Sequence, residues 1–178
     1  MPFFVVLILV ISGVIAVDLT SKLLVYNLMA EGDSIRILGN FFKITFLKNK
    51  GMAFGLLGNH RFIFISISAV VIVLLLIYLF KFSKDTKFVK IGLALIIGGG
   101  IGNMVDRIGL GYVVDMLDFS SFFPYIFNVS DSCVCVGVAI VAIGLIVKEV
   151  KESKQKKAAK NATEETSKGT EKDDSKRE

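Results

Sequence analysis

The sequence predicts an all-α membrane protein with four transmembrane helices and a small β-hairpin region outside them. Of its 178 residues 53% are hydrophobic, and the mean hydropathy is +0.67. Residues 62–80 form an apolar run without a charge, which is long enough to cross a hydrocarbon core of ~30 Å. Three further uncharged runs, at residues 2–17, 91–105 and 132–147, reach that length when their flanking polar residues lie at the interface.

The distribution of Lys and Arg predicts the orientation of the four spans. The short link 81–90 contains four lysines, the tail after residue 147 contains ten Lys or Arg residues, and the link 106–126 contains only Arg107. Basic residues favour the cytoplasmic side, so we expect the 81–90 link and both termini to be cytoplasmic. The 18–61 segment carries six basic residues, which opposes this orientation, but its charges are spread over a longer stretch.

The chain divides into a membrane domain, residues 1–150, and a charged tail, residues 151–178. From residue 148 onward, ten basic and eight acidic residues are mixed with Ala, Ser and Thr. A segment with so few large apolar residues is expected to be disordered in the cytoplasm. Binding of RNA or lipid headgroups is an alternative, but a solvated extension is the interpretation we adopt, and we expect no nucleic-acid partner.

Two features are predicted between the first and second spans. Asp18 and Lys22 are four residues apart, so they share one helix face and form either a functional ion pair or an ordinary interfacial pair. From about residue 33 to residue 57 the pattern becomes rich in Ile, Phe and Thr and is broken at Gly39-Asn40, which predicts a hairpin on the outer membrane face. The run NKGMAFG, from Asn49, ends this region and is typical of a turn.

The third span combines close-packing glycines with a polar end. Gly98 and Gly102 have the spacing that lets a neighbouring helix approach closely, and no Lys-Ser/Thr follows to make a phosphate-binding loop. Asn103, Asp106 and Arg107 then end the span. These three are either a polar cap or, because an Asn precedes the charges by one turn inside an apolar helix, part of a functional cluster.

Asp115 and Asp131 are the strongest candidates for chemistry. Asp131 precedes the apolar run of the last span and Asp115 lies in the preceding outer link, so both are expected at the same membrane edge. Ionisable groups at membrane depth are costly and are functional by default. Two neighbouring acids can share a proton and activate water, which indicates a peptidase. Asp118 is the alternative loop acid, and a small transporter or a membrane scaffold is the rival class of protein.

The sequence predicts no metal and no organic cofactor. His60 is the single histidine, and the two cysteines, Cys133 and Cys135, lie two apart within the last span. This is not the clustered arrangement of ligands that a zinc site needs.

Four sequence blocks resemble the signatures of the lipoprotein signal peptidase family (signal peptidase II). They are the DLTSK run from Asp18, NKGMAFG at 49–55, GGGIGNMVDR with GYVVDMLDF at 98–119, and FNVSD at 127–131. Their order and spacing are those of the family, over about residues 8–147. Ser130 is a departure, since the family usually has Ala there; its hydroxyl is expected to be tolerated and able to hydrogen-bond Asp131.

The resemblance implies four transmembrane helices with an extracytoplasmic β-cradle, in the bacterial cytoplasmic membrane, with an active site near the outer face. It implies an aspartic endopeptidase, expected as a monomer among membrane lipids, that cleaves prolipoproteins before a diacylglyceryl-modified Cys. Asp115 and Asp131 match the catalytic pair. Substrate-binding or orienting roles fall to Asn49, Asn103, Arg107 and Asn128, and a structural polar layer to Asp18, Lys22, Asp106, Gly51 and Gly102.

Overall fold

The computed structural model describes residues 2–51, 61–119 and 123–174, and its helices confirm the four predicted spans. Helix α1 is Phe3–Leu28, α2 is Arg61–Ile77, α3 is Lys87–Gly109 and α4 is Val129–Asp174. A π-helical turn, Tyr78–Phe82, continues α2. By length and composition, the segments able to cross a membrane are Phe3–Leu28, Phe62–Lys81, Lys87–Gly109 and Val129–Gln155.

The predicted hairpin is confirmed and forms one side of a larger sheet. Strand β1, Ser34–Leu38, pairs antiparallel with β2, Phe42–Asn49, and Gly39 in the turn between them has a φ of 55°. A glycine adopts this left-handed backbone without a Cβ clash. The Gly39-Asn40 dipeptide therefore marked the turn correctly.

The link after α3 contains two strands that the sequence did not reveal. Strand β3, Val113–Asp118, pairs with β2, and the short β4, Ile126–Phe127, pairs with β3, giving a four-stranded antiparallel sheet in the order β1-β2-β3-β4. Asp115 therefore lies on a strand, and its predicted position in a loop was wrong. The β-branched start of VVDMLD favours a strand, but its partner is far away in the sequence.

Helix α3 is the central helix of the membrane domain, and its glycines explain why. Leu93, Ala94 and Ile97 are buried against residues of α1 and α2. A Cβ added to Gly98 would lie only 2.9 Å from the Val14 Cβ of α1. A larger residue would separate the two helices, which confirms the predicted close approach.

The sheet is attached to α1 by a second apolar cluster. Val114 and Met116 of β3 and Phe46 of β2 pack with Val25 of α1, and all four are buried. Successive side chains on a strand point to opposite faces. This packing therefore turns the Asp115 side chain away from α1, toward the other face of the sheet.

The chain beyond Val141 forms a separate compact unit, residues 142–178. Its backbone is helical through Asp174, whereas the composition predicted disorder for residues 151–178. Ala, Lys and Glu have high intrinsic helix propensity, which accounts for the difference.

Candidate active site

Asp115 lies at the centre of strand β3, directly opposite Leu47 of β2. Its side chain is fully buried. Burial raises the pKa of Asp115 to about 6; hydrogen bonds from Asn49 and Asn128 oppose this rise, and the nearby charge of Asp131 adds to it. Because this pKa lies close to neutral pH, a small change of pH changes the fraction of Asp115 that is ionised.

Asp131 lies in the first turn of α4 as one half of a capping box. Asn128 precedes the helix and accepts the Asp131 backbone N–H on its Oδ1 at 2.8 Å. In return, the Asn128 backbone N–H lies 3.4 Å from Asp131 Oδ2. An Asn followed three residues later by an acid, just before an apolar run, is the signal for this motif in FNVSD.

Asn128 connects the two acids. Its Nδ2 donates to Asp115 Oδ1 at 2.7 Å, while its own Oδ1 holds the backbone of Asp131. The Asp115 carboxyl group on a strand and the Asp131 backbone at a helix start are therefore held by a single buried side chain. The predicted pair does come together in the fold.

Asn49 approaches Asp115 from the end of β2. Its Oδ1 accepts the Gly51 backbone N–H at 2.9 Å, a side-chain turn typical of Asn, and its Nδ2 donates to Asp115 Oδ2 at 2.8 Å. Gly51 has a φ of 94°, and a Cβ there would lie 3.1 Å from the Phe64 ring. Backbone conformation and space both favour Gly at this position. Gly55, the other glycine of the run, lies outside the described residues.

Asn103 of α3 contacts Asp131 from the membrane side. Its Nδ2 donates to Asp131 Oδ1 at 2.7 Å, and its Oδ1 accepts from Asn128 Nδ2 at 3.1 Å. Arg107 donates to the Asn103 backbone oxygen at 3.2 Å, and its guanidinium carbon lies 5.6 Å from the centre of the Phe64 ring. Among the described residues Arg107 makes no hydrogen bond to either acid, but its positive charge interacts with both.

A buried ion cluster lies beneath these amides. Lys22 Nζ is 2.7 Å from Asp18 Oδ2 and 3.2 Å from Asp106 Oδ2, and all three side chains are buried. Asp106 also accepts the Val114 backbone N–H at 3.0 Å. The predicted Asp18–Lys22 ion pair is therefore present, and the cluster joins α1 and α3 to strand β3.

Asp18 extends the cluster to the fourth helix. It accepts the Ser130 backbone N–H at 2.8 Å. Gly102 lies where α3 passes this contact, and a Cβ there would collide with Ser130 Oγ and Asp18 Oδ2. Among the described residues the Ser130 hydroxyl is buried without a hydrogen-bond partner. The expected bond from Ser130 to Asp131 is not formed, because the hydroxyl faces Gly102 and Asp18.

The side chain of Asp118, the alternative loop acid, points away from that of Asp115. It follows Asp115 by three residues on the same strand, so the two side chains leave opposite faces. Thr45 Oγ1 donates to Asp118 Oδ2 at 2.7 Å, and Lys43 Nζ lies 3.6 Å from the same oxygen. These contacts tie the hairpin to β3.

A cavity of about 360 Å³ opens beside Asp115. It is lined by Leu47, Lys48, Asn49, Asp115, Pro124, Tyr125 and Ile126. Its walls are strands of the sheet and the segment before β4. Within 2–51, 61–119 and 123–174, no three His, Cys, Asp or Glu side chains are grouped as metal ligands.

The fold and the site together define a multi-pass membrane protein with two neighbouring carboxyl groups, Asp115 fully buried and Asp131 half-buried. The chain belongs to the signal peptidase II family, whose model, described as "Signal peptidase (SPase) II", matches residues 10–147. This confirms the resemblance found in the sequence.

Known proteins that are similar to this chain support the same family assignment. The lipoprotein signal peptidase of Clostridioides difficile is 39% identical over 76% of this chain and 91% of its own length. That of Halothermothrix orenii is 44% identical over 77% and 92%. A solved bacterial membrane enzyme has a TM-score of 0.75 at 29% identity, covering 81% of this chain and 89% of its own.

Proposed function

We propose that this protein is an aspartic endopeptidase that removes signal peptides from prolipoproteins, cleaving before the diacylglyceryl-modified Cys. The observation that carries the proposal is the contact of one amide, Asn128, with both Asp115 and Asp131. Membership of the signal peptidase II family and the names of the similar proteins support the substrate class. Asp115 and Asp131 are the catalytic acids.

The two acids differ in how their oxygens are hydrogen-bonded. Both Asp115 oxygens accept short bonds, from Asn49 at 2.8 Å and from Asn128 at 2.7 Å. Asp131 accepts a short bond on Oδ1 at 2.7 Å, but the contact to its Oδ2 is 3.4 Å. Donors on both oxygens favour the ionised form. We assign Asp115, which is ionised above its pKa of about 6, as the general base, and Asp131 as the acid that carries the proton of the pair during the reaction.

A mechanism of hydrolysis follows from these roles of Asp115 and Asp131. Asp115 takes a proton from water while the water oxygen bonds to the scissile carbonyl carbon. The Asp131 hydroxyl donates a hydrogen bond to the oxygen that becomes negative, which stabilises the tetrahedral intermediate. The C–N bond then breaks, and the leaving amine takes a proton from the acid pair. Asn49, Asn103 and Asn128 keep both carboxyl groups oriented throughout.

The orientation in the membrane follows from the charges at the helix ends. The link 81–90 carries four lysines, which favours a cytoplasmic link and cytoplasmic termini. The sheet and the acids then lie at the extracytoplasmic face, where a secreted precursor presents its cleavage site.

The lipid group of the precursor is expected to determine substrate selection. Large apolar side chains are exposed on α1, α2 and α4, including Leu9, Leu74 and Ile146. Two acyl chains that lie in the bilayer beside such helices contribute about 0.8 kcal/mol for each CH₂ removed from water, so they anchor the precursor firmly in the membrane. Binding energy far from the reacting bond then positions the carbonyl at Asp115.

The proposal is tested with purified protein in detergent and one lipoprotein precursor. We expect cleavage directly before the lipidated Cys, found by mass spectrometry of both products, and no cleavage by the Asp115→Asn protein. Cleavage elsewhere, or none by the folded wild-type protein, would contradict the proposal. Inhibition by a metal chelator would contradict the aspartic mechanism.

A further inference from the structure

Lys22 contacts a third acceptor besides the two carboxylates of the ion cluster. Its Nζ donates to Asn103 Oδ1 at 2.9 Å, in addition to its ion pairs with Asp18 and Asp106. A lysine ammonium has three N–H donors and no acceptor. Three oxygens therefore lie within 3.2 Å of this buried ammonium, and one of them belongs to an amide of the candidate active site.

This contact determines which way the Asn103 amide faces. Since Lys22 only donates, Asn103 must present its carbonyl oxygen to the ammonium, and its NH₂ group must face the opposite way. That NH₂ group donates to Asp131 Oδ1 at 2.7 Å. If the amide were reversed, N–H would face N–H at Lys22 and an oxygen would face a carboxyl oxygen at Asp131, which is unfavourable at both ends.

The orientation of the neighbouring Asn128 amide is fixed independently, and it is compatible with that of Asn103. Asn128 Oδ1 accepts the Asp131 backbone N–H at 2.8 Å, so its NH₂ group faces away from that backbone. It donates to Asn103 Oδ1 at 3.1 Å and to Asp115 Oδ1 at 2.7 Å. The Asn103 oxygen thus receives donors from Lys22 and from Asn128, and no reversal of one amide is compatible with the other.

We propose that Lys22 is a positioning residue whose ammonium sets the direction of the Asn103 amide and thereby supplies Asp131 with an N–H donor. This role is additional to neutralising Asp18 and Asp106. It rests on the proposed function, because Asp131 is one of the two acids assigned there. Lys22 itself touches neither acid by any described hydrogen bond and acts through Asn103.

The test must separate positioning from neutralisation. In Lys22→Met/Asp18→Asn/Asp106→Asn, the ammonium is lost together with both carboxylates, so no unpaired buried charge remains. Each new Asn keeps an oxygen for the backbone N–H that Asp18 or Asp106 accepted. The comparison protein is Asp106→Asn, which loses one ion pair but retains the ammonium and its contact with Asn103. Melting temperature, kcat and KM are measured for both with a lipidated precursor.

We expect the triple variant to fold and to keep KM within about twofold while kcat falls about tenfold or more. Asp106→Asn should show a much smaller loss of kcat. Recovery of wild-type kcat by the folded triple variant would overturn the proposal, because neutralisation would then be the whole role of Lys22. Absence of cleavage by the wild-type protein would instead contradict the proposed function.

If the triple variant does not fold, a measurement on the wild-type protein tests the proposal. Solid-state NMR on protein with ¹⁵N-labelled Asn and ¹³C-labelled Asp measures the dipolar coupling between Asn103 Nδ2 and the Asp131 carboxyl carbon. The proposal requires the strong coupling of a directly hydrogen-bonded pair. The weak coupling expected when the amide oxygen faces Asp131 would overturn it.

Discussion

Asn128 Nδ2 lies 2.7 Å from Asp115 Oδ1, and this bond joins the start of helix α4 to strand β3. The same side chain caps α4 and receives the backbone N–H of Asp131. One amide therefore holds a helix end, the Asp115 carboxyl group and the Asp131 backbone. The distance between the acids is thereby coupled to the packing of α4 against the sheet.

Replacing Asn128 by Ala should impair both stability and catalysis. The change removes a helix cap, which costs about 0.5–2 kcal/mol, and leaves buried groups without partners. We expect a lower melting temperature and a fall in kcat of about tenfold or more, measured on a lipidated precursor. The matched control is Asn27→Ala, since Asn27 is exposed on α1 and donates only to the Leu23 backbone oxygen. Equal effects of the two substitutions would contradict a bridging role.

The rate of cleavage should fall on the acid side of about pH 6, because Asp115 must be ionised and its pKa is raised to about 6. The Asn49 amide opposes this rise, so removing it in Asn49→Ala raises the pKa of Asp115 further. The acid limb of the kcat/KM profile should then move to higher pH, with activity partly regained toward pH 8.

The control for this profile is Asn40→Ala, in the exposed turn at the other end of the hairpin. Its acid limb should coincide with that of the wild-type protein. A shift to lower pH in Asn49→Ala would mean that Asn49 does not stabilise the ionised carboxyl group.

The orientation of the chain is tested by cysteine labelling in cells. After replacement of Cys133 and Cys135, a membrane-impermeant reagent should label Asn40→Cys from the extracytoplasmic side. Lys84→Cys, in the lysine-rich link, should react only after the membrane is opened. Labelling of position 40 only from the cytoplasmic side would invert the proposed topology.

Selection by the lipid group is tested with two forms of one precursor. Cleavage of the diacylglyceryl form should be much faster than cleavage of the unmodified form, because the acyl chains hold the precursor at the depth of Asp131. A small residue should be preferred before the Cys. Equal rates for the two precursors would instead favour a general intramembrane aspartic protease.

Features with a local signal could be predicted from the sequence. Four apolar runs gave the spans, the Gly39-Asn40 turn gave the hairpin, and a spacing of four gave the Asp18–Lys22 pair. Strand β3 was not predicted, because Asp115 pairs with Leu47, a partner 68 positions away in the sequence. The alternation of the strand also directs Asp115 and Asp118 to opposite faces, which supports the proposal of Asp115 as the catalytic acid.

The orientations of the Asn side-chain amides could not be predicted from the sequence, for a different reason. Asn49 and Asn128 are held by backbone N–H groups of their own turns, which FNVSD and NKG could have indicated as short capping and turn motifs. Asn103 is held by Lys22, a contact across 81 residues. The unpartnered hydroxyl of Ser130 likewise depends on how closely α3 passes at Gly102. Such contacts follow from packing and not from local pattern.

The most direct test of the central claim, that Asp115 and Asp131 act as one catalytic unit, compares kcat/KM for Asp115→Asn, Asp131→Asn and the double variant. Asp118→Asn is the control, because Asn there can still accept from Thr45. We expect each single substitution to lower kcat/KM by about 10³-fold or more, the double variant to be no slower, and Asp118→Asn to lose far less. Losses that add in the double variant, or an inactive Asp118→Asn beside an active Asp115→Asn, would contradict the claim.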